Sequence, residues 1–166
     1  TTSDAGAPRK TYVVDTSILI SAPDAIQNLT INNTVVVPFP VLQELDRKRT
    51  SANGVGYTAR NTVKFFDELQ GAASTEQIKA GIPLNGGTLK FHNGTLDLAR
   101  AWPGFSSSYA DDAIILLADD YQQRHPGEQV ILITRDAAMR CKARARSVAA
   151  LGFCGRYATS RQTSAV

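Results

Sequence analysis

The sequence predicts an α/β fold, a three-layer α/β/α sandwich with a mostly parallel central sheet. The first observation is a set of three short β-branched runs, almost continuously apolar, as is typical of parallel strands covered on both faces. They are "TYVVD" (11–15), "TVVVP" (34–38) and "QVILIT" (129–134). Segments with helical spacing of apolar residues separate these runs. The length of 166 residues suits one domain, which at this size buries roughly 70% of its unfolded surface.

Four segments are predicted to be helices. "PFPVLQELDRKR" (38–49) opens with prolines, which a first helical turn accepts. "GYTARNTVKFFDELQ" (56–70) carries apolar residues at helical spacing with charges opposite. "SYADDAIILLADDYQQRH" (108–125) begins with serines that can cap a helix. "DAAMRCKARARSVAAL" (136–151) is rich in alanine and is predicted to stop at Gly152.

The remaining segments are short or polar. "NGGTLKFHNGTL" (85–96) predicts a small β-excursion with glycine turns. The small, polar ends predict flexible tails at 1–10 and 157–166, which leaves 11–156 as the folded domain. Apolar runs fall short of the ~18–20 residues of a membrane span and a signal peptide is not visible, so we expect a cytoplasmic protein without a membrane partner.

Charge is distributed unevenly along the chain. The net charge is +3, yet residues 135–166 hold seven basic side chains and one acidic, which gives this segment +6 and the remainder −3. Such asymmetry suits a polyanionic partner. A solvated helix followed by a basic tail explains the same pattern equally well.

Cysteine and histidine are too sparse to suggest a nitrogen or sulfur metal site. Cys141 and Cys154 are too few and too far apart for a zinc knuckle, and they imply no disulfide framework. His92 and His125 stand alone and are predicted to be surface histidines.

Four acidic residues fall where strands end or helices begin. Asp15 terminates the first strand, Asp136 closely follows the last strand, Glu44 lies about one turn into the helix after the second strand, and Asp111 lies in the first turn of the helix before the last strand. Ligands gather at the carboxyl ends of parallel strands, so all four could reach one end of the sheet. Taken singly, Asp111 and Asp136 could be helix-dipole partners and Glu44 could face solvent.

If these four acids lie close together, the repulsion between their negative charges must be offset. Two unit charges ~4 Å apart repel by about 4 kcal/mol at an effective dielectric of ~20, so the carboxylates must protonate or share a cation. Oxygen ligands alone favour a hard ion, Mg²⁺ or Mn²⁺. An ion held by carboxylates keeps waters, one of which can attack phosphorus. Metal-assisted phosphodiester hydrolysis is therefore the hypothesis, with Asp15, Glu44, Asp111 and Asp136 as its catalytic and metal-binding residues.

Four stretches together resemble a known family. "VVDTSILIS", "VVPFPVLQELDRKR", "YADDAIILLA" and "VILITRDAAMRCKA", in this order, resemble the PIN domain, a metal-dependent ribonuclease fold. The insert "GIPLNGGTLKFHNGTL" and the "RDAAMRCKA" helix further resemble the N-terminal PIN domain of PhoH-type proteins, where it precedes a P-loop ATPase. The motif G-x-x-x-x-G-K-[ST] does not occur here, so the resemblance implies an ATPase outside this sequence, to which 157–166 could be the linker.

The resemblance implies a toxin-like endoribonuclease acting on single-stranded RNA, with an antitoxin or a fused ATPase domain as partner and with homo-oligomers as in many PIN domains. It makes the four acids the family's acidic quartet. Thr16 or Ser17 would order the loop after the first strand, and Thr134 matches the family's threonine by position. Asp112 stands where PhoH-type relatives often have Asn, which implies either a supporting role or no role in the site. Ala138 replaces a residue that is often polar, which implies that a single ion could bind.

Basic side chains near the acids are expected to hold the phosphate backbone without reading bases. The expected contacts are Arg47, Lys48, Arg60, Arg135 and Arg140. Tyr57 and Phe105 could stack on unpaired bases, although a place in the core or in a turn is the more ordinary role. Asp119 and Asp120 are predicted to be a solvated helix end.

Two other functions remain open. A degenerate PIN module could bind RNA or a protein partner without metal or catalysis. Response-regulator receivers and haloacid-dehalogenase-type phosphatases also place Asp at strand ends. The phosphatases need Asp-x-Asp where this chain has Asp15-Thr16-Ser17, and receivers need an acidic pair there. Both of these folds fit poorly.

Overall fold

The computed structural model describes residues 9–93, 110–154 and 157–158. Its central sheet has six strands: β1 (Lys10–Val14), β2 (Thr34–Pro38), β3 (Ile82–Leu84), β4 (Gly87–His92), β5 (Gln129–Ile133) and β6 (Ala149–Leu151). Their order is β3-β4-β2-β1-β5-β6. Neighbouring strands are parallel except β3, which is antiparallel to β4. The mostly parallel α/β sheet predicted from the sequence is confirmed.

Helices cover both faces of this sheet. As a result, every residue of the central strand β2 is buried. The helices are α1 (Thr16–Ser21), α2 (Ala25–Leu29), α3 (Phe39–Lys48), α4 (Gly54–Ala72), α5 (Thr75–Ala80), α6 (Ala110–Arg124) and α7 (Ala137–Ala145). A separate antiparallel pair joins β7 (Phe153–Cys154) to β8 (Tyr157–Ala158). Among the helices of the described ranges, none has both the length and the hydropathy that crossing a bilayer demands.

Helix α6 occupies the interior of the molecule. It is buried without a break from Asp112 to Ala118, and it packs against β2, β5, α3 and α7. A helix covered on nearly all sides has little freedom to shift in a close-packed core. The acidic residues in its first turn are therefore placed by the core. Phe105 and the serines at 106–108 lie outside the described residues.

The chain after Asp15 is helical. The sequence predicts strand to residue 15 and then a loop, but β1 ends at Val14 and α1 begins at Thr16 with Asp15 as its N-cap. The loop that Thr16 or Ser17 was expected to order is therefore the first turn of a helix. A short polar residue before a helix start is a capping signal. Here that residue is Asp15, which directly follows the apolar strand β1.

The helix predicted over 136–151 is too long. Helix α7 ends at Ala145, and Ser147 adopts a left-handed φ of 63°. The amide of Val148 donates to the carbonyl of Ala143, and the following residues form β6 parallel to β5. Alanine favours helix, but pairing with β5 decides the conformation of this segment.

The predicted β-excursion is part of the central sheet. Strand β3 begins at Ile82, before the expected start at 85, and β4 ends at His92. Residues 94–96 lie outside the described residues. Strand β4 pairs in parallel with β2, so the segment extends the sheet and does not form a separate hairpin. Strand β8 falls within 157–166, where the sequence predicts a flexible tail.

The histidines are not isolated surface residues, contrary to the sequence prediction. His92 Nε2 lies 3.1 Å from Asp120 Oδ2, and their side chains are 17% and 8% exposed. The ring of His125 stacks on Tyr121 at a centroid distance of 3.9 Å. Asp119 is half-buried and accepts hydrogen bonds from glutamine side chains. The expected solvated helix end is therefore wrong, because Asp120 contacts His92 of β4 and Asp119 contacts glutamine side chains of α6 and lies 3.9 Å from Arg146.

Candidate metal centre

Asp15 is a buried carboxylate with a full set of donors. It is 4% exposed, and its backbone amide donates to the carbonyl of Ile133 on β5. Its Oδ1 accepts from the amide of Thr16 at 2.7 Å. Its Oδ2 accepts from Ser17 Oγ and from Thr134 Oγ1, both at 2.8 Å. These three hydrogen bonds offset the cost of burying the charge and fix the direction of the carboxylate.

Glu44 projects from the second turn of α3 toward Asp15. Its Oε1 accepts a hydrogen bond of 3.0 Å from Thr16 Oγ1. Burial raises the pKa of Glu44, this hydrogen bond lowers it, and the charges of Asp15 and Asp111 raise it, with a net upward shift. Glu44 is therefore held in a site that disfavours its negative charge.

Asp111 enters the same site from the first turn of α6. Burial raises its pKa, and the charges of Asp15 and Asp136 raise it further, while Lys142 opposes the shift. Asp15, Glu44 and Asp111 each offer a carboxylate oxygen within 4.8 Å of the other two. Three acids from segments far apart in sequence thus meet at the carboxyl end of the sheet.

This donor set fits a hard divalent cation. All three ligand atoms are carboxylate oxygens, the ligands that Mg²⁺ and Mn²⁺ favour. Oxygens on opposite sides of Mg²⁺ lie about 4.2 Å apart, so small side-chain rotations bring these three into range. Without a cation the same closeness is unfavourable, which agrees with the raised pKa values of Glu44 and Asp111.

Asp136 lies beside these three acids. It is the N-cap of α7, and its Oδ1 accepts from the amide of Met139 at 3.2 Å. It is exposed and lines the same cleft, which has a volume of about 400 Å³. The three-carboxylate group does not include it, although its charge raises the pKa of Asp111.

Thr134 connects two of the acids. Its hydroxyl donates to Asp15 Oδ2 and accepts from the amide of Asp136 at 3.1 Å. It is fully buried, and its carbonyl accepts from Arg140 Nη1 at 2.8 Å. Ser17 plays a similar part, because its Oγ donates to Asp15 and accepts from the amide of Arg135 at 3.3 Å. Both hydroxyls orient the cleft.

Asp112 does not join the acids of the cleft. It is buried and pairs with Lys142 Nζ at 3.2 Å. Lys142 also lowers the pKa of Asp111, so it brings positive charge close to the acidic group. The sequence offers no specific signal for this pair, because its members are 30 positions apart on different helices.

The expected RNA-binding residues divide into two sets. Lys48 and Arg135 line the cleft, and the cleft wall also includes Ile20 and Val55, which the sequence did not single out. Arg47 is exposed in the last turn of α3 and is not among the residues that line the cleft.

Arg60 and Arg140 serve backbone carbonyls. Arg60 Nη1 donates to the carbonyl of Arg49 at 2.6 Å, which braces the connection between α3 and α4. Arg140 donates to the carbonyl of Thr134 as described. Tyr57 is 64% exposed on α4, so it is neither a core nor a turn residue.

Comparison with known proteins gives a family and several relatives. The PIN domain family model matches residues 12–153. The chain is 31% identical to Protein PhoH2 of Thermobispora bispora over 134 residues, covering 81% of the chain and 29% of that protein. It is also 31% identical to Protein PhoH2 of Bacillus subtilis over 149 residues, covering 87% of the chain and 33% of that protein. The chain thus spans about a third of the length of these curated relatives.

A solved structure shares the fold. A domain of a functionally unknown protein from Methanocaldococcus jannaschii superposes with a TM-score of 0.55 at 16% identity, covering 90% of this chain and 95% of that domain. PIN domains are in general nucleases that use divalent metals, which agrees with the acidic cleft. The family match begins within β1, extends past β6, the last strand of the central sheet, and ends at the first residue of β7. The chain therefore belongs to the PIN domain family.

Proposed function

We propose that the protein is a Mg²⁺- or Mn²⁺-dependent endoribonuclease that hydrolyses phosphodiester bonds of single-stranded RNA. The observation that carries the proposal is the approach of the Asp15, Glu44 and Asp111 carboxylate oxygens to within 4.8 Å of one another in an open cleft. A divalent ion held there supplies an activated water and offsets the charge that builds on the phosphate.

Each site residue then has a defined part. Asp15, Glu44 and Asp111 hold the ion, and Asp136 adds negative charge at the exposed side of the cleft. Thr16, Ser17 and Thr134 keep the carboxylates of Glu44 and Asp15 in place through the hydrogen bonds described above. Asp112 acts indirectly, because it holds the ammonium group of Lys142 beside the acidic group.

The walls of the cleft support a phosphate-bearing substrate. Lys48 and Arg135 flank the acids, where they can hold phosphates on either side of the scissile bond. The deepest acid, Asp15, is buried in a cleft of about 400 Å³. A flexible strand can lower one phosphate into such a space more readily than a stiff duplex can.

The relatives suggest a larger setting. The chain spans about a third of the proteins named PhoH2, so we propose that it acts as the nuclease part of a PhoH-type protein with an ATPase domain. An antitoxin and a second copy of the chain are further proposed partners.

Cleavage of labelled single-stranded RNA across a Mn²⁺ titration tests the nuclease proposal. Asp15→Asn keeps the size of the side chain but removes a charge from the ion site, so we expect the rate to fall by about 100-fold or more with an unchanged circular dichroism spectrum. Asp46→Asn is the matched control, since Asp46 is exposed on α3 and pairs only with Arg49 among the described residues. It should leave the rate unchanged.

Two results would overturn the proposal. Cleavage at the wild-type rate by Asp15→Asn would show that this carboxylate is not needed. RNA binding in EDTA with no cleavage at any Mn²⁺ concentration would favour a binding module without catalysis.

A further inference from the structure

A second pocket lies beside the acidic cleft, between α1, α2 and α4. Its volume is about 240 Å³. Helix α4 supplies one wall with residues at positions i, i+1, i+4, i+5 and i+8, which share a helix face. These residues are Tyr57, Thr58, Asn61, Thr62 and Phe65. Leu19, Pro23, Ile26 and Gln27 form the opposite wall.

The pocket combines an exposed aromatic ring with unused amides. Tyr57 is 64% exposed, and Phe65, about two turns further along α4, is half-buried. The side-chain amides of Gln27 and Asn61 are exposed and make no hydrogen bond within the part of the chain that the structure describes. An aromatic face beside free donors and acceptors suits a flat ligand with a polar edge.

The pocket and the cleft share two helices. On α1, Ile20 lines the cleft while its neighbour Leu19 lines the pocket. On α4, Val55 lines the cleft while Tyr57 lines the pocket. Thr16 and Leu19 are three residues apart on α1, which is about 4.5 Å along the helix axis. Residues within one turn of α1 thus line both spaces, so the pocket is a candidate for a base next to a phosphate in the cleft.

We propose that this pocket binds one unpaired nucleobase of the RNA strand whose phosphate occupies the acidic cleft. The base stacks on Tyr57, and the amides of Gln27 and Asn61 contact its edge. The volume lies just below the ~300 Å³ lower limit of drug-sized pockets, which suits one base and excludes a longer segment. The inference rests on the proposed function and adds a base preference at one position of the substrate.

An abasic scan tests the inference through binding. Fluorescence anisotropy in Ca²⁺ compares an intact single-stranded RNA with versions that lack one base at successive positions. Stacking of a base on an aromatic side chain is worth about 5- to 160-fold in affinity, so the wild type should lose a factor in this range at one position. Tyr57→Ala should bind intact RNA more weakly by the same factor. Its affinity should not fall further when the base at that position is removed.

Controls separate stacking from misfolding. Tyr57→Phe keeps the ring and should bind like the wild type. Ile31→Ala removes another exposed apolar side chain, 52% exposed, that lies outside both the pocket and the cleft, and it should also bind like the wild type. Asn61→Ala should keep the affinity for one base type and lose discrimination among four homopolymers.

The inference and the nuclease proposal fail in different ways. Wild-type affinity of Tyr57→Ala, an abasic penalty that persists in this variant, or no RNA binding at all would overturn the pocket assignment and leave the pocket to a protein partner. Absence of Mn²⁺-dependent cleavage of the same RNAs by the wild type would overturn the nuclease proposal. The anisotropy measurements on the abasic RNAs would still show whether the pocket binds a base.

Discussion

The three central acids differ in how their charges are compensated. Asp15 accepts three hydrogen bonds, whereas Glu44 accepts one, from Thr16. Asp111 accepts none within the described part of the chain, and burial is the first cause of its raised pKa. In the metal-free site, Glu44 and Asp111 are therefore the acids whose negative charges are least compensated. A bound cation would relieve both.

The raised pKa values give the metal-free protein a characteristic pH dependence. The folded state binds protons at Glu44 and Asp111 more tightly than the unfolded state does, so their contribution to the free energy of unfolding increases as pH falls through the raised pKa values. It levels off below the ordinary values of 4.5 and 3.8. At neutral pH in EDTA, Glu44→Gln and Asp111→Asn should each be more stable than the wild type, because each removes a repelled charge.

Urea unfolding at a series of pH values, in EDTA and in Mn²⁺, measures this effect. The stability difference between each variant and the wild type should shrink toward acid pH in EDTA and reverse in sign with Mn²⁺, because the variants lose a metal ligand. Asp46→Asn, on the same helix as Glu44, serves as the control. Variants less stable than the wild type in EDTA at pH 7 would contradict the assignment of these two groups.

At the scale of elements, sequence patterns predicted the helices that have one clear apolar face. Helix α3 was predicted over 38–49 and α4 over 56–70, within two residues of their observed bounds. Helix α1 was missed because its apolar residues continue those of β1, with only Asp15 between them. The end of α7 was missed because alanine propensity cannot anticipate pairing of β6 with β5.

The start of α4 depends on Gly56. A Cβ at this position would overlap the carbonyl oxygen of Ser51, so α4 could not pack as closely against the end of α3. Gly56→Ala should destabilise the fold by about 1–3 kcal/mol and should weaken RNA binding, because Val55 and Tyr57 move with the helix start. Gly71→Ala is the control on the same helix, since apart from the backbone of α4 no atom of the described residues lies within 4 Å of its added Cβ.

Thermal and urea unfolding measure both glycine variants. Gly71→Ala should be neutral or stabilising by about 0.5–1 kcal/mol, because alanine is the better helix former. Equal stability of the two variants would show that the close approach to Ser51 does not constrain α4.

At the scale of the whole molecule, the topology assembles the site. Strands β1 and β5 are parallel neighbours, which brings Asp15 beside Thr134 across 119 positions. The sequence could predict the gathering of acids because carboxyl ends of parallel strands share one edge. It could not predict that Arg60 and Arg140 would bind carbonyls, since either arginine could equally have faced a ligand.

Several of the basic side chains in residues 135–166 make contacts within the protein. Lys142 pairs with Asp112, and Arg140 and Arg144 donate to backbone carbonyls. Arg146 lies 3.9 Å from Asp119. Arg135, by contrast, faces the cleft. The charge asymmetry of the sequence therefore indicates less free positive surface than its count suggests, and Lys48 and Arg135 are the basic residues that line the cleft and that we propose as phosphate contacts.

The most direct test of a shared cation is the anomalous difference map of a crystal soaked in Mn²⁺. We expect one peak bounded by carboxylate oxygens of Asp15, Glu44 and Asp111, and we expect it to vanish in Asp15→Asn. A soaked crystal with no peak among these three side chains, or with an ion that remains when Asp15 is replaced, would contradict the shared site.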